Sequence, residues 1–130
     1  MRKVLIVEPN AADVRALRKC LRDAGLRNLS TVLKNNGQAK RHLAQRDQDG
    51  ILLLNIRGAD SSSMKFLDWL REQSFHKELL VIALGERNRL RAVVEACERG
   101  ANTFLIKPVH VEDLKTLANR YPDHWTRSPA

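Results

Sequence analysis

Aromatic side chains are scarce in this sequence, at 5% of its 130 residues, and it has only two cysteines. So few aromatics leave little material for a surface that stacks single-stranded bases. Cys20 and Cys97 each lie within a helical apolar pattern, which argues against a disulfide scaffold and indicates a reducing compartment, so we expect a cytoplasmic protein. The longest apolar run, residues 79–84, is far too short to span a membrane, and we expect no membrane partner.

Charge is the unusual feature of the composition. Lys and Arg total 23 against 15 Asp and Glu, which gives a formal net charge of +8. Such a balance suits nucleic acid, an anionic membrane surface or an acidic protein as partner, and does not choose among them. The chain length fits one domain of ordinary size.

Short apolar runs alternate with helical patterns five times along the chain. Strand–helix alternation with short connections predicts a parallel α/β sheet covered on both faces. In such sheets, functional residues lie at the carboxyl ends of the strands. The five predicted strands cover residues 4–7, 29–33, 51–54, 79–84 and 103–106.

Residues 100–108 read Gly-Ala-Asn-Thr-Phe-Leu-Ile-Lys-Pro. This segment resembles the Gly-Ala, aromatic, Lys-Pro segment of the response-regulator receiver domain of two-component signalling. Residues 4–8 are similar to that family's first strand with its acidic end, and residues 51–55 to its third strand. The resemblance covers residues 3–120 and extends to the spacing between these segments.

The resemblance implies an α/β fold of the doubly wound, flavodoxin-like kind, with five parallel strands in the order 2-1-3-4-5. It also implies a receiver-like domain at residues 1–121, followed by a C-terminal tail at 122–130. We expect this tail to form one ordered turn and then fray, with Trp125 available as an interaction residue.

The same resemblance shows what the family's phosphorylation pocket has lost here. Asn55 stands where the family has the phosphorylated Asp, Pro9 where it has a second metal-binding acid, and Gly85 where it has the Ser or Thr that gates the switch. An amide is not a comparable nucleophile, and Pro9 offers no ligand for the hard cation that phosphoryl transfer requires. In the following loop, Gly58-Ala59 and Ser62-Ser63 replace the family's Met-Pro and Asp-Gly.

These losses together predict a degenerate pseudo-receiver with no catalytic residue, no metal and no cofactor. Glu8 is then the one carboxylate left, and we expect Lys107 to pair with it or to hydrogen-bond Asn55. Arg57 is expected over the same pocket, and the family pattern implies a cis peptide before Pro108. Phe104 and Lys107 are the pocket positions that match the family.

Basic residues form a stripe along the first predicted helix. Arg15, Arg18, Lys19 and Arg22 fall at helical spacing, away from the apolar side. A solvated helix face is the simplest interpretation. The alternative is a docking surface for an acidic protein, or a weaker nucleic-acid footprint, extended by Lys115.

A second contact face is implied by the family's fourth helix, fifth strand and fifth helix. In this sequence it would include Arg91, Arg99, Phe104 and Lys115. The favoured hypothesis is therefore a non-enzymatic signalling module that binds an unidentified signalling protein, or a second copy through this face, without phosphorylation. The alternatives are a small basic nucleic-acid-binding regulator and a weakly phosphorylatable response regulator.

Overall fold

The computed structural model describes residues 2–45, 49–57 and 62–129. Within these residues, no helix is long and apolar enough to cross a membrane. Short 3-10 helices at Ser74–Glu78 and Arg87–Arg89 precede the fourth strand and the fourth helix. The strands are β1 (Lys3–Val7), β2 (Ser30–Leu33), β3 (Asp49–Asn55), β4 (Leu80–Glu86) and β5 (Thr103–Lys107), and the helices are α1 (Ala11–Asp23), α2 (Asn36–Ala44), α3 (Ser62–Arg71), α4 (Leu90–Glu98) and α5 (Val111–Arg120).

The five strands form one sheet in the order β2-β1-β3-β4-β5, and every neighbouring pair is parallel. This confirms the fold expected from the sequence. The register sets Val7 beside Leu54 and Asn55 beside Leu84. Because parallel strands end at the same edge, the residues that follow β1, β3, β4 and β5 converge there.

Strand residues alternate between two apolar layers, since successive side chains point to opposite faces. Ile6 and Leu53 pack with α1 and α5 through residues such as Leu17 and Leu114. Leu5, Leu52 and their neighbours pack with α2, α3 and α4 on the other face. Complete burial of one such leucine stabilises the fold by about 1.5–3 kcal/mol. Trp69 packs at the border of the second layer, as expected for a residue beside the apolar stripe of α3.

The C-terminal tail is packed rather than frayed, which corrects the expectation for Trp125. That indole is 6% exposed and lies in the apolar layer between the sheet and α5. The Arg27 amide donates to the Thr126 carbonyl at 2.7 Å, and the Ser128 amide donates to the Gly25 carbonyl at 2.7 Å. The tail is held because a large apolar side chain fills the core beneath it.

Candidate functional site

Four strand ends meet in a pocket at the carboxyl edge of the sheet, which we call the carboxyl-end pocket. Glu8 follows β1, Asn55 ends β3 and Lys107 ends β5. Gly85 is the next-to-last residue of β4. Glu8 is 3% exposed, which is unusual for a carboxylate without an opposite charge. The structure thus gathers the residues that the sequence placed at strand ends.

The Lys107 ammonium is the centre of this pocket. Its Nζ donates to Glu8 Oε1, to Asn55 Oδ1 at 3.0 Å and to Asp13 Oδ2 at 3.0 Å. The other Glu8 oxygen accepts the Asn10 amide at 3.2 Å. The predicted pairing of Lys107 is confirmed, and both of its expected partners are engaged at once.

Asp13 is a pocket residue that the sequence reasoning missed. The Asn10 side chain caps α1 by accepting the Asp13 amide at 3.0 Å, which fixes Asp13 in the first turn. From there its carboxylate reaches Lys107. The signal was present in the sequence, because Asn10 caps the helix that follows β1 and Asp13 is three residues after that cap.

The charge of Lys107 is maintained by its partners. Burial by itself lowers the pKa of Lys107, but hydrogen bonds and attraction from Glu8 and Asp13 outweigh that effect, so the pKa is raised above its ordinary value of 10.5. The Lys107 side chain is 19% exposed and that of Glu8 is 2% exposed. The pair is therefore largely shielded from solvent screening.

The donor set of the pocket lacks the second acid that the family uses beside Glu8 for a divalent cation, since that position is Pro9. Hard cations require several carboxylate or carbonyl oxygens, and Pro9 supplies no side-chain donor. The oxygens of Glu8, Asp13 and Asn55 already surround an ammonium. Among the described residues, no group of three His, Cys, Asp or Glu side chains is arranged to hold a metal.

The space beside Gly85 is filled from α4. A Cβ atom built on Gly85 would overlap the Cγ2 methyl of Val93, which is 2% exposed. A Ser or Thr at this position would require the Val93 side chain to move. Sequence reasoning identified the missing hydroxyl but could not identify the side chain that occupies its place.

Basic residues lie along the outer rim of the pocket. Arg57 lies over it as predicted, and Arg89 Nη1 donates to the Arg57 carbonyl at 2.5 Å. Together with Pro9 and Lys107 they border a cavity of about 240 Å³. Gly58 and Ala59 of the adjoining loop lie outside the described residues.

Two further pocket positions are placed as follows. The Lys107–Pro108 peptide is cis, which confirms the expectation from the sequence. Phe104 does not line the pocket; it is 48% exposed and borders a separate surface cavity with Arg87 and His110.

The basic stripe of α1 divides into tethered and untethered side chains. Arg18 donates to Ser30 Oγ at 3.0 Å and to the Ser30 carbonyl at 3.2 Å, which ties it to β2. Lys19 pairs with Asp23 at 2.9 Å, and this pair is exposed. Arg15 and Arg22 are exposed and extend from the same helix.

An apolar patch is exposed on α4 and β5. Leu90 and Val94 on α4 are 51% and 57% exposed, and Phe104 is 48% exposed on β5, which packs against α4. Arg99, expected on this face, is instead bound to Asp68 on α3 at 2.5 Å and to Glu95 at 3.1 Å. We therefore define the α4–β5 face by Leu90, Val94 and Phe104 and leave Arg99 out of it.

Comparison with known proteins agrees with this geometry. Residues 4–119 match the family model described as "Response regulator receiver domain". The chain belongs to this family. The receiver is 24% identical over 113 residues to the transcriptional regulatory protein KdpE of Staphylococcus aureus, covering 87% of this chain and 46% of that protein. It is 27% identical over 122 residues to the DNA-binding transcriptional regulator NtrC of Escherichia coli K12, covering 94% and 25%.

Solved receivers have the same fold. Response regulator RPA3017, in red light signalling of R. palustris, aligns over the whole of both chains with a TM-score of 0.82 and 20% identity. An atypical orphan response regulator, for which a phosphorylation-independent regulatory mechanism is described, aligns with a TM-score of 0.73 and 19% identity, covering 98% of this chain and 100% of that one. The receiver spans about a quarter to a half of the length of the curated relatives above.

Proposed function

We propose that this receiver domain is a cytoplasmic, non-enzymatic signalling module that acts without phosphorylation, through protein–protein contacts. The observation that carries the proposal is Asn55 at the end of β3, an amide whose side-chain oxygen accepts a hydrogen bond from the Lys107 ammonium at 3.0 Å. In a phosphorylatable receiver a cation and a carboxylate nucleophile are needed at this place. Here the nucleophile position is the amide of Asn55, and Pro9 offers no side-chain oxygen to a cation.

The packing of α4 supports the same proposal. Val93 occupies the space that a Ser or Thr at position 85 would need. A switch requires an element with two arrangements, each stabilised under a different condition. With Gly85 packed against Val93, position 85 on β4 has no hydroxyl with which a phosphoryl group could form a hydrogen bond.

A solved neighbour provides a precedent at the level of the fold. The atypical orphan response regulator is described as having a phosphorylation-independent mechanism. At 19% identity this neighbour supports only the shared fold. The support for phosphorylation independence in this chain comes from the residues of its own pocket.

The contact surface we assign is the α4–β5 face, and we propose a second copy of this chain as its occupant. Apolar side chains exposed together mark protein interaction sites. Charges of both signs surround them: Arg91 and Glu98 are exposed on α4, and Glu112 and Lys115 on α5. A two-fold interface brings the same patch against itself, so a surface of mixed sign can pair with its own copy.

The experiment is sedimentation velocity with and without a small phosphodonor and Mg²⁺. We expect a monomer–dimer equilibrium that the phosphodonor leaves unchanged. The double variant Leu90→Glu/Val94→Glu should be monomeric at every concentration tested. The matched control is Leu29→Glu, because Leu29 is 65% exposed at the opposite edge of the sheet.

Three results would overturn this proposal. The first is a dimer that forms only with the phosphodonor. The second is equal dissociation by Leu29→Glu, which would assign the interface elsewhere. The third is a wild-type chain that stays monomeric at high concentration, which would reject the second copy as occupant.

A further inference from the structure

The positive charge of the chain is concentrated in one segment. Residues 14–46 contain nine Lys and Arg residues and a single acidic residue, Asp23. Outside this segment the chain has 14 basic and 14 acidic residues, so the two signs cancel there. The entire formal charge of +8 therefore belongs to one quarter of the sequence.

The fold arranges this segment as one border of the molecule. It comprises most of α1, then β2, then α2, and β2 is the terminal strand of the sheet. α1 packs on one face of the sheet and α2 on the other, so their basic residues flank the same strand. We call this surface the β2 edge. Its exposed basic side chains are Arg15, Arg18, Lys19, Arg22, Arg27, Lys34 and Arg41.

Some of these cations are fixed and others are free to bind. Arg18 is tied to Ser30 by two hydrogen bonds, and Lys40 on α2 is anchored over the Trp69 ring at 5.3 Å. Within the part of the chain that the structure describes, Arg15, Arg22 and Arg41 have no carboxylate partner. Because basic neighbours on a protein surface repel one another, a polyanion at this edge would relieve that repulsion.

The side chains of the β2 edge fit phosphate better than protein. Protein interfaces rely on apolar or aromatic anchors at their centre, and Leu29 is the one large apolar side chain exposed here among the described residues. Phosphate contacts are made by Arg and Lys, together with small polar donors such as Ser and Asn. Asn28, Ser30, Asn35 and Asn36 along the edge are hydrogen-bonded within the protein, so the phosphate contacts would come from the Arg and Lys side chains.

The geometry favours a duplex over a single strand. Single-strand binding uses aromatic side chains on which bases stack, and residues 14–46 contain no Phe, Tyr or Trp. Arg15 and Arg22 are two turns apart on α1, about 10 Å along the helix axis. Double-stranded DNA carries one charge per about 1.7 Å of its axis, so two cations about 10 Å apart can each contact phosphate on one duplex.

We infer that the β2 edge binds the sugar-phosphate backbone of double-stranded DNA without reading its sequence. This surface is at the opposite border of the sheet from the α4–β5 face. DNA binding and the proposed dimer can therefore fail separately.

The test uses fluorescence anisotropy of the full chain with a labelled mixed-sequence DNA duplex of about 20 base pairs, at several NaCl concentrations. We expect a Kd of about 1–100 µM near physiological salt, and a steep linear fall of log affinity with log salt. The triple variant Arg15→Gln/Arg22→Gln/Arg41→Gln should lose at least about tenfold in affinity. Its salt slope should fall by about one unit per lost phosphate contact.

The matched control removes the same charge elsewhere, with Lys65→Gln/Arg71→Gln/Lys77→Gln. These residues are exposed and lie outside the β2 edge. The control should keep the wild-type salt slope within about half a unit. Both variants should melt close to the wild type, because exposed substitutions of this kind usually change stability by less than about 0.5 kcal/mol each.

Three outcomes would overturn the inference. One is no binding at 50 mM NaCl. A second is equal loss in both triple variants, which would show that only net charge matters. The third is a poly-glutamate peptide of about 20 residues that binds the wild type as tightly as the duplex at the same salt, which would identify the β2 edge as a surface for acidic proteins.

Discussion

The carboxyl-end pocket and the α4–β5 face are adjacent in the fold but opposite in character. In the pocket, polar groups satisfy one another: Lys107 binds Glu8, Asp13 and Asn55, and Val93 fills the space beside Gly85. On the α4–β5 face, large apolar side chains are left in contact with water. The comparison teaches that polar groups are paired with one another in the pocket, whereas apolar groups on the α4–β5 face have no such partners among the described residues and remain exposed.

The largest expected effect comes from Lys107→Met. Glu8 would remain buried without its opposite charge, and we expect a loss of about 3 kcal/mol in the free energy of unfolding. Urea denaturation measures this directly. The matched control is Lys77→Met, an exposed lysine, which should change stability by less than about 0.5 kcal/mol. Equal small losses of unfolding free energy in both variants would show that the fold does not depend on the Lys107 ammonium in the pocket.

The next effect comes from Gly85→Ser, which places a side chain against Val93. Overpacking of a buried position costs about 1–3 kcal/mol, so a loss of about 2 kcal/mol is expected. Because Val93 is the obstacle, the double variant Gly85→Ser/Val93→Ala should lose less unfolding free energy than the sum of the losses in the two single variants. Simple additivity in thermal or urea unfolding would mean that Val93 does not occupy the space.

A smaller effect concerns pH. The pKa of Lys107 is higher in the folded state than its ordinary value of 10.5. A raised pKa contributes stability that is fully present below pH 10.5 and is lost as the pH rises through the folded-state value. The stability difference between wild type and Lys107→Met, followed by urea unfolding from pH 8 to pH 11.5, should narrow above pH 10.5. A stability difference that widens above pH 10.5 would contradict the raised pKa of Lys107.

The smallest effect on stability is expected on the α4–β5 face. Phe104→Ser removes an aromatic ring that is 48% exposed, and should change the free energy of unfolding by less than about 1 kcal/mol. The same variant should weaken self-association measured by sedimentation. A large loss of stability with unchanged self-association would contradict this prediction. It would show that Phe104 stabilises the fold and does not contribute to a contact between copies.

The fold was predictable because β3 and β4 are buried runs bounded by polar residues, and helices with clear apolar spacing follow them. The pairing of Lys107 with Glu8 was also predictable, since parallel strands bring their carboxyl ends together. Asp13 was harder to place, because its role depends on the direction in which a capped helix leaves β1.

Contacts between residues that are far apart in the sequence could not be predicted in this way. Val93 meets Gly85 only because α4 packs back on β4, and no local pattern encodes that contact. Trp125 was misplaced for a similar reason: a tryptophan near a chain end gives no local sign of whether it folds back. Composition gave the net charge, but only the strand order shows that residues 14–45 form a single border.

The central claim is that the carboxyl-end pocket does not accept a phosphoryl group. The most direct measurement is intact-protein mass spectrometry after incubation with acetyl phosphate and Mg²⁺, with Asn55→Asp treated in parallel. Pro9 and Gly85 remain in that variant, and Lys107 stays bound to Glu8 and Asp13. We therefore predict that both proteins keep their original mass. Stoichiometric gain of one phosphoryl group by the wild-type chain would contradict the account.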